Sequence, residues 1–121
     1  MPDPLIIDRL ELILVHARKI QLRIQITDDA SYFISSEAGE QLYDSLITRL
    51  QAMGENFKKI EQLDKRFIID SLNLDITPIV RFRDLISHHY ELLDYQVVFR
   101  ICNQEIPKLI SVIENFLSLK R

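Results

Sequence analysis

The chain has 121 residues, of which 47% are hydrophobic and 27% are charged, with two glycines and four prolines. This length suits one domain, which we place at residues 1–121, and the scarcity of glycine disfavours a turn-rich β fold. The formal net charge of −3 argues against a surface that coats nucleic acid broadly.

The cysteine and hydropathy patterns exclude further classes. Cys102 has no second cysteine to pair with, which excludes an internal disulfide and a multi-cysteine zinc site. We expect Cys102 to be a small core residue in a protein of the reducing cytoplasm. The apolar run at residues 5–15 is interrupted by Asp8, Arg9 and Glu11, so we expect neither a signal peptide nor a membrane span.

The first half of the chain predicts two helices and a short helical turn. Asp3 followed by Pro4 is a typical helix start, and apolar residues then recur at spacings of three and four up to Ile24. Residues 27–29 end this helix, and residues 30–34 predict a short turn of helix. Ser35 and Ser36 are suitable caps for a long helix at about residues 36–63. Gly54 lies in the middle of that helix, where we interpret it as a point of close contact with another helix.

The second half predicts shorter helices. Residues 65–74 indicate a short helix, and Thr77 with Pro78 indicates the cap and first residue of the next one. We expect the helix to be reset near Asp94 and a kink or a new start at Pro107. The last apolar face consists of Leu109, Ile110, Ile113, Phe116 and Leu117. No segment shows a convincing strand pattern, so the prediction is an all-α, up-and-down bundle of four to five helices.

The segment RFRDLISHHYELLD, residues 81–94, contains two of the three histidines of the chain. At 100° per residue, His88 shares a polar face with Arg83, Asp84 and Tyr90. His89 falls among leucine and phenylalanine side chains, which predicts a core or boundary residue. The third histidine, His16, shows no partner in the sequence and is predicted to lie on the surface.

This polar face carries groups that are sufficient to cleave RNA without a metal. An imidazole can take a proton from a ribose 2′-hydroxyl, and a guanidinium can hold phosphate oxygens. Asp84, one turn before His88, could orient that imidazole. A solvated helix face with an Asp–His pair accounts for the same residues, so the chemistry alone leaves both interpretations open. A metal site on His88 and His89 is disfavoured because adjacent helical residues point about 100° apart.

The spacing of the motif adds a family resemblance. Residues 83–90, read as Arg, four residues, His, any residue, Tyr, resemble the signature of HepT-like toxins, a branch of the HEPN ribonuclease superfamily of small helical bundles. MGENFKKI, residues 53–60, is similar to the Gly-Glu stretch of that family. EIPKLISVIENFL, residues 105–117, is similar to its final Leu-Pro-x-Leu helix. The three segments occur in the order and at the distances expected for the family.

The resemblance implies a specific activity and specific partners. It implies a metal-independent endoribonuclease that is toxic to its own cell, acts on RNA rather than DNA and needs no cofactor. By position, Arg83 and His88 take the catalytic roles and Asp84 a supporting role. It further implies a homodimer in which both motifs face one cleft. A partner antitoxin, a minimal nucleotidyltransferase (MNT-type), would silence the toxin by attaching AMP to Tyr90.

Two expectations about surfaces accompany the resemblance. We expect the Tyr90 phenol to open onto the cleft that Arg83 lines, so that the phosphate of an attached AMP would pair with the arginine. Apolar residues in excess of one helical stripe at 97–117 could form part of the dimer contact: Val97, Val98, Ile101, Ile110, Ile113 and Phe116.

The chain also departs from the family pattern. Asp84 stands where the superfamily often has Asn, and an ionised carboxylate repels a phosphate. A tryptophan that often precedes the motif in relatives has no counterpart, since the chain contains no tryptophan. The alternative function is therefore a catalytically weak or inactive nucleotide-binding or scaffold bundle that pairs with a nucleotidyltransferase.

Overall fold

The computed structural model of the protein describes residues 3–120, and every regular element within this range is helical. Six α-helices follow one another, together with two π-helical turns, Ile68–Leu72 and Ile101–Glu105, and one 3₁₀ turn, Tyr90–Leu92. The α-helices are α1 (Pro4–Ile24), α2 (Tyr32–Ser35), α3 (Glu37–Leu63), α4 (Thr77–His89), α5 (Tyr95–Arg100) and α6 (Ile106–Lys120). The prediction of an all-α bundle is confirmed.

Side-chain caps fix the starts of three helices. The Asp3 carboxylate accepts a hydrogen bond from the Leu5 backbone N–H at 2.8 Å, and Pro4 occupies the first position of α1. Ser36 accepts from the Gly39 N–H at 3.0 Å and so begins α3. Asp94 accepts from the Gln96 N–H at 2.9 Å at the start of α5. These caps confirm the starts that the sequence predicted.

The start of α4 differs from the prediction. Thr77 is the first residue of the helix rather than its cap, and Ile76 precedes it without a side-chain cap bond. The carboxylate of Asp75 accepts from the Thr77 N–H at 2.9 Å and satisfies a backbone donor in the first turn. A local Asp–backbone turn has taken the role that the sequence assigned to the threonine hydroxyl.

Helix α3 lies between α1 and α4 and runs antiparallel to both, while α6 packs against α1. One cluster of buried side chains joins all of these helices. Cys102 belongs to it and is 1% exposed, which confirms its predicted place in the core. No helix among the described residues has the length and apolar character needed to cross a membrane.

The predicted dimer surface at residues 97–117 is wrong. Val98, Ile101, Ile110, Ile113 and Phe116 are all buried in the core of their own chain, and Val97 is half-buried. The reason lies in the π-helical turn between α5 and α6. The wider π-helical turn shifts the angular positions of the residues that follow it. Apolar residues that would lie on two faces of an uninterrupted α-helix therefore all face the core.

Candidate functional site

The candidate site begins where α4 packs closely against the middle of α3. A Cβ placed on Gly54 of α3 would lie 2.5 Å from the Cβ of Arg83 and 2.7 Å from its Cγ. Since real Cβ atoms do not approach other atoms so closely, only glycine lets the arginine backbone lie at this distance from α3. The predicted close helix–helix contact at Gly54 is confirmed, and its partner is Arg83.

Two carboxylates hold the guanidinium of Arg83. Its Nε donates to Oε1 of Glu55 at 2.6 Å, and one terminal nitrogen donates to the same oxygen. The other terminal nitrogen donates to Oδ1 of Asp84 at 2.8 Å. The hydrogen bonds to Asp84 and Glu55 raise the pKa of Arg83, whose side chain is only 19% exposed. Three of the five guanidinium N–H donors are thus engaged, which leaves two for another ligand.

Asp84 belongs to the same ion-pair network. Its carboxylate also accepts from Nζ of Lys58 on α3 at 3.0 Å. The hydrogen bonds from Arg83 and then Lys58 hold the pKa of Asp84 below its usual value, so the carboxylate is ionised and lies between two cations. Within residues 3–120, no hydrogen bond joins Asp84 to His88. The predicted Asp84–His88 contact is therefore absent, because Lys58 reaches across from α3 and holds the carboxylate.

Both motif histidines are exposed near the end of α4. The prediction that His89 is a core or boundary residue is wrong. The backbone of His89, at φ −143° and ψ 47°, leaves the helical region, so no further turn of α4 covers its side chain. A shallow depression of about 480 Å³ follows this end of the helix and is lined by residues 86–92, with His88 among them. His88 therefore stands open to a ligand.

Tyr90 is directed away from Arg83. Its hydroxyl donates to Oδ1 of Asp44 on α3 at 2.7 Å. This hydrogen bond, followed by burial and by the charge of Asp44, raises the pKa of Tyr90 to about 12. Asp44 precedes Glu55 by 11 positions on α3, so the phenol and the guanidinium contact points about 16 Å apart along that helix. The expectation of a shared cleft is wrong, because α4 ends before Tyr90 and the helical angles do not extend to it.

His16 also differs from its prediction. It is half-buried rather than on the open surface, and its Nδ1 lies 3.0 Å from a terminal nitrogen of Arg49 on α3. Burial, and then the charges of Arg49 and Lys19, lower the pKa of His16. Its imidazole is therefore a neutral partner for the arginine at neutral pH.

The sequence did not reveal the residues of α3 that hold the motif. These contacts come from four residues of α3, Asp44, Gln51, Glu55 and Lys58, which bind Tyr90, Ser87, Arg83 and Asp84, respectively. Gly54, Glu55 and Lys58 lie within the stretch MGENFKKI, whose resemblance to the family pattern was the one signal for part of this set. Among the described residues, no group of three or more His, Cys, Asp or Glu side chains converges as a metal site would.

A family model described as "Ribonuclease HepT-like" matches residues 13–116 of the chain. The matched range covers most of the sequence and includes the long helix α3, the whole of α4 and the turn with Tyr90. Among curated proteins and among solved structures, none matches the chain.

Proposed function

The chain belongs to the HepT-like ribonuclease family, and on this premise we propose that it is a metal-independent endoribonuclease toxin with Arg83 and His88 as its catalytic residues. One observation supports the proposal above the others. Arg83 is held in place with two free N–H donors, while His88, later on the same helix, is exposed and free of partners among the described residues. A fixed guanidinium that can bind phosphate and an accessible imidazole on the same helix are the minimal groups for cleaving RNA.

In the proposed reaction, the 2′-hydroxyl of a ribose attacks the adjacent phosphorus. A neutral His88 imidazole takes the hydroxyl proton as the new P–O bond forms, and the bond to the 5′-oxygen breaks. A protonated imidazole gives its proton to the leaving oxygen. The two remaining donors of Arg83 hold the non-bridging phosphate oxygens, on which negative charge increases. The carboxylate of Asp84 repels substrate less than an isolated one, because Lys58 and Arg83 neutralise it.

This reaction needs two imidazoles, and each motif offers one on this face. We therefore propose a homodimer in which a second copy supplies the other His88 across a two-fold axis. Leu92, which lies beyond the motif in the 3₁₀ turn, is 73% exposed and suits the contact between copies. Light scattering should give a dimer mass at micromolar concentration. A monomer that retained full activity would contradict this assembly.

We propose that an MNT-type antitoxin silences the protein by attaching AMP to Tyr90. The site that supports this differs from the one expected from the sequence, since Tyr90 is close to His88 in the chain and directed to Asp44 rather than to Arg83. An attached AMP would remove the hydroxyl proton that Tyr90 donates to Asp44 and would bring a negative phosphate beside the Asp44 carboxylate. Its adenosine can occupy the depression at residues 86–92 and cover His88.

The activity is tested by incubating purified protein with total RNA in the presence of EDTA. The wild type should cleave, and His88→Ala should lose roughly 10²–10⁴-fold of the rate because the proton acceptor is gone. His89→Ala is a matched control, because it removes an exposed imidazole from the adjacent residue and should retain the rate. Cleavage that disappears in EDTA and returns only with magnesium would contradict the proposed mechanism.

The role of Tyr90 is tested by expression in cells with and without the antitoxin. Tyr90→Phe should remain toxic and should resist the antitoxin, since the phenol does not take part in proton transfer. His88→Ala should be harmless under both conditions. A folded Tyr90→Phe protein as inactive as His88→Ala would favour the alternative, in which this bundle is a nucleotide-binding scaffold for a nucleotidyltransferase.

A further inference from the structure

A row of half-buried arginines lies along the contact between α1 and α3, apart from the motif. Arg9, His16 and Arg23 recur at every seventh position of α1 and therefore share one side of the helix. Arg49 joins them from α3. From Arg9 to Arg23 the row extends for about 21 Å at 1.5 Å per residue.

These three guanidiniums have neutral partners. Arg9 donates to the Asn56 side-chain oxygen at 3.2 Å, Arg23 donates to the Ser45 hydroxyl, and Arg49 contacts His16. Among the described residues, no carboxylate forms an ion pair with any of them. Arg18 and Arg66, by contrast, are paired with Glu114 and Asp70. The row therefore carries positive charge that the fold does not neutralise, in a chain that is acidic as a whole.

The acidic residues nearest to the row on the same helices do not cancel this charge. On α3, Asp44 holds the Tyr90 hydroxyl and Glu55 holds Arg83, both on the side that faces α4. On α1, Asp8 and Glu11 lie beyond the row on the exposed side of the helix. Lys19 adds a cation close enough to lower the pKa of His16.

The chemistry of this row fits a chain of phosphates. Each arginine contacts one neutral side-chain atom and keeps further N–H donors, which suit phosphate oxygens better than the compact charge of a lysine. The fixed repeat along one helix favours a ligand with regularly spaced negative groups over a single anion. Contacts of this kind position a nucleic acid without selecting its bases.

The row also lies close to the proposed catalytic site. Asn56, which holds Arg9, follows Glu55, which holds Arg83, in the sequence of α3. Adjacent helical residues point about 100° apart, so the two sites lie on neighbouring sides of one helix, whose diameter with side chains is about 10–12 Å. A single strand lying along the row can cross α3 and reach Arg83.

We propose that Arg9, Arg23 and Arg49 form a binding groove for the sugar–phosphate backbone of the RNA substrate, separate from the catalytic motif. This inference rests on the proposed ribonuclease function. It assigns the groove the task of holding several nucleotides of single-stranded RNA beside the cleaved bond, independent of base sequence. It also accounts for the binding of a polyanion by an acidic protein, because these three arginines have neutral side-chain partners.

The groove is tested by titrating a fluorescently labelled single-stranded RNA with His88→Ala protein, which leaves the RNA intact. Binding is followed by anisotropy over a range of salt concentrations. Adding Arg9→Gln and Arg23→Gln should reduce the slope of log affinity against log salt by about 1.4, since each phosphate contact on a single strand contributes about 0.7. At 0.1 M salt the affinity should fall by more than tenfold.

Arg18→Gln with Arg66→Gln, in the same background, is the matched control, since it removes the same charge from arginines that are already ion-paired. Its slope should remain within a few tenths of the parent. Arg9→Lys with Arg23→Lys should restore most of the slope. Should the glutamine pair fail to fold by circular dichroism, Arg23→Gln alone against Arg18→Gln alone should still differ by about 0.7 in slope.

Equal salt slopes for the Arg9→Gln/Arg23→Gln variant and the Arg18→Gln/Arg66→Gln variant would contradict the proposed groove. Failure of the His88→Ala protein itself to bind RNA would contradict it as well. The cleavage rate of wild type in EDTA is measured alongside and reports on the proposed function separately. If the wild type cleaves RNA but the Arg9→Gln/Arg23→Gln variant binds RNA as well as the His88→Ala protein does, the groove is rejected and the proposed ribonuclease function stands. If the wild type does not cleave RNA but the salt slope depends on Arg9 and Arg23, the RNA-binding groove stands and the catalytic role of Arg83 and His88 is rejected.

Discussion

The middle of α4, at Arg83, and its C-terminal end are held by very different means. At Arg83 the helix lies against Gly54 of α3. The Arg83 guanidinium is bound by Glu55 and Asp84, and only 19% of the Arg83 side chain is exposed. At the C-terminal end His88 is exposed, and beyond it the hydrogen bond from Tyr90 to Asp44 fastens the chain to α3. Of the two proposed catalytic groups, Arg83 is therefore fixed before substrate arrives, whereas His88 is not.

In the proposed mechanism, this difference divides the catalytic roles between Arg83 and His88. A side chain that binds phosphate is most effective when its N–H donors are already oriented, because no reorganisation is then required as charge develops on the phosphate. Arg83 meets this requirement within one chain. His88 has no orienting partner among the described residues, so in our proposal the second copy and the substrate orient it. The following substitutions test the two regions separately.

The largest effect is expected at Gly54. In Gly54→Ala the new methyl group would displace Arg83 from α3, and a misplacement of about 1 Å can cost on the order of 10²-fold in rate. The same overpacking should destabilise the protein by about 1–3 kcal/mol. The rate of RNA cleavage and the thermal unfolding midpoint are the measurements.

Ala52→Gly, two residues earlier on α3, provides the control. It should cost about 1 kcal/mol through helix propensity and leave Arg83 in place. If both variants lost activity in proportion to stability, the close contact would be structural alone, and the contrast between Arg83 and the C-terminal end of α4 would not hold.

A smaller effect is expected from Glu55→Gln, which keeps the shape of the side chain but removes the charge that holds the guanidinium. We expect kcat for RNA cleavage to fall roughly tenfold as Arg83 becomes less ordered. The unfolding midpoint should change little, because the Glu55 side chain is 41% exposed. Glu61→Gln, an exposed position on the same helix, serves as the control. An unchanged kcat for Glu55→Gln would show that Arg83 does not depend on α3 for its orientation.

The smallest effect concerns the Tyr90 end and its ionisation. In Asp44→Asn the pKa of Tyr90 should fall from about 12 towards its ordinary value near 10, because the acceptor loses its charge. The pKa of Tyr43, also raised to about 12, should move less since burial is its main cause. Tyrosinate absorbance against pH is the measurement. A titration curve identical to wild type would mean that the hydrogen bond to Asp44 does not form in solution.

The same shift has a consequence for stability at high pH. A folded-state pKa above the unfolded value means that the folded protein holds this proton more tightly. The contribution of the Tyr90 hydroxyl is therefore complete below about pH 10 and is lost as pH rises towards 12. In Asp44→Asn this loss should be smaller.

The sequence predicted the helices well because their signals are local. Asp3, Ser36 and Asp94 act as caps within a few residues of their own positions, and the apolar spacings report which side of each helix is buried. Gly54 was recognised as a close contact because glycine weakens the middle of a helix unless a neighbouring helix needs the space. These features need no knowledge of which helix is the neighbour.

The sequence could not predict which charges pair across helices. Asp84 has His88 one turn away, and only the packing of α3 shows that Lys58 holds it instead. The exposure of His89 does not follow from a helical wheel, because α4 ends at this residue. The buried positions within residues 97–117 do not follow from one helical period either, because the π-helical turn changes the period within that stretch.

The antiparallel contacts of α3 carry a consequence for how this protein can change during evolution. One helix supplies partners to α1 through Ser45, Arg49 and Asn56, and its other side supplies partners to α4. A single residue inserted or deleted between positions 45 and 55 would rotate the following part of α3 by about 100°. This rotation would break contacts with α1 and contacts with α4 at the same time. We therefore expect descendants of this gene to vary in length at the connections between helices, and to keep the length of this segment unchanged.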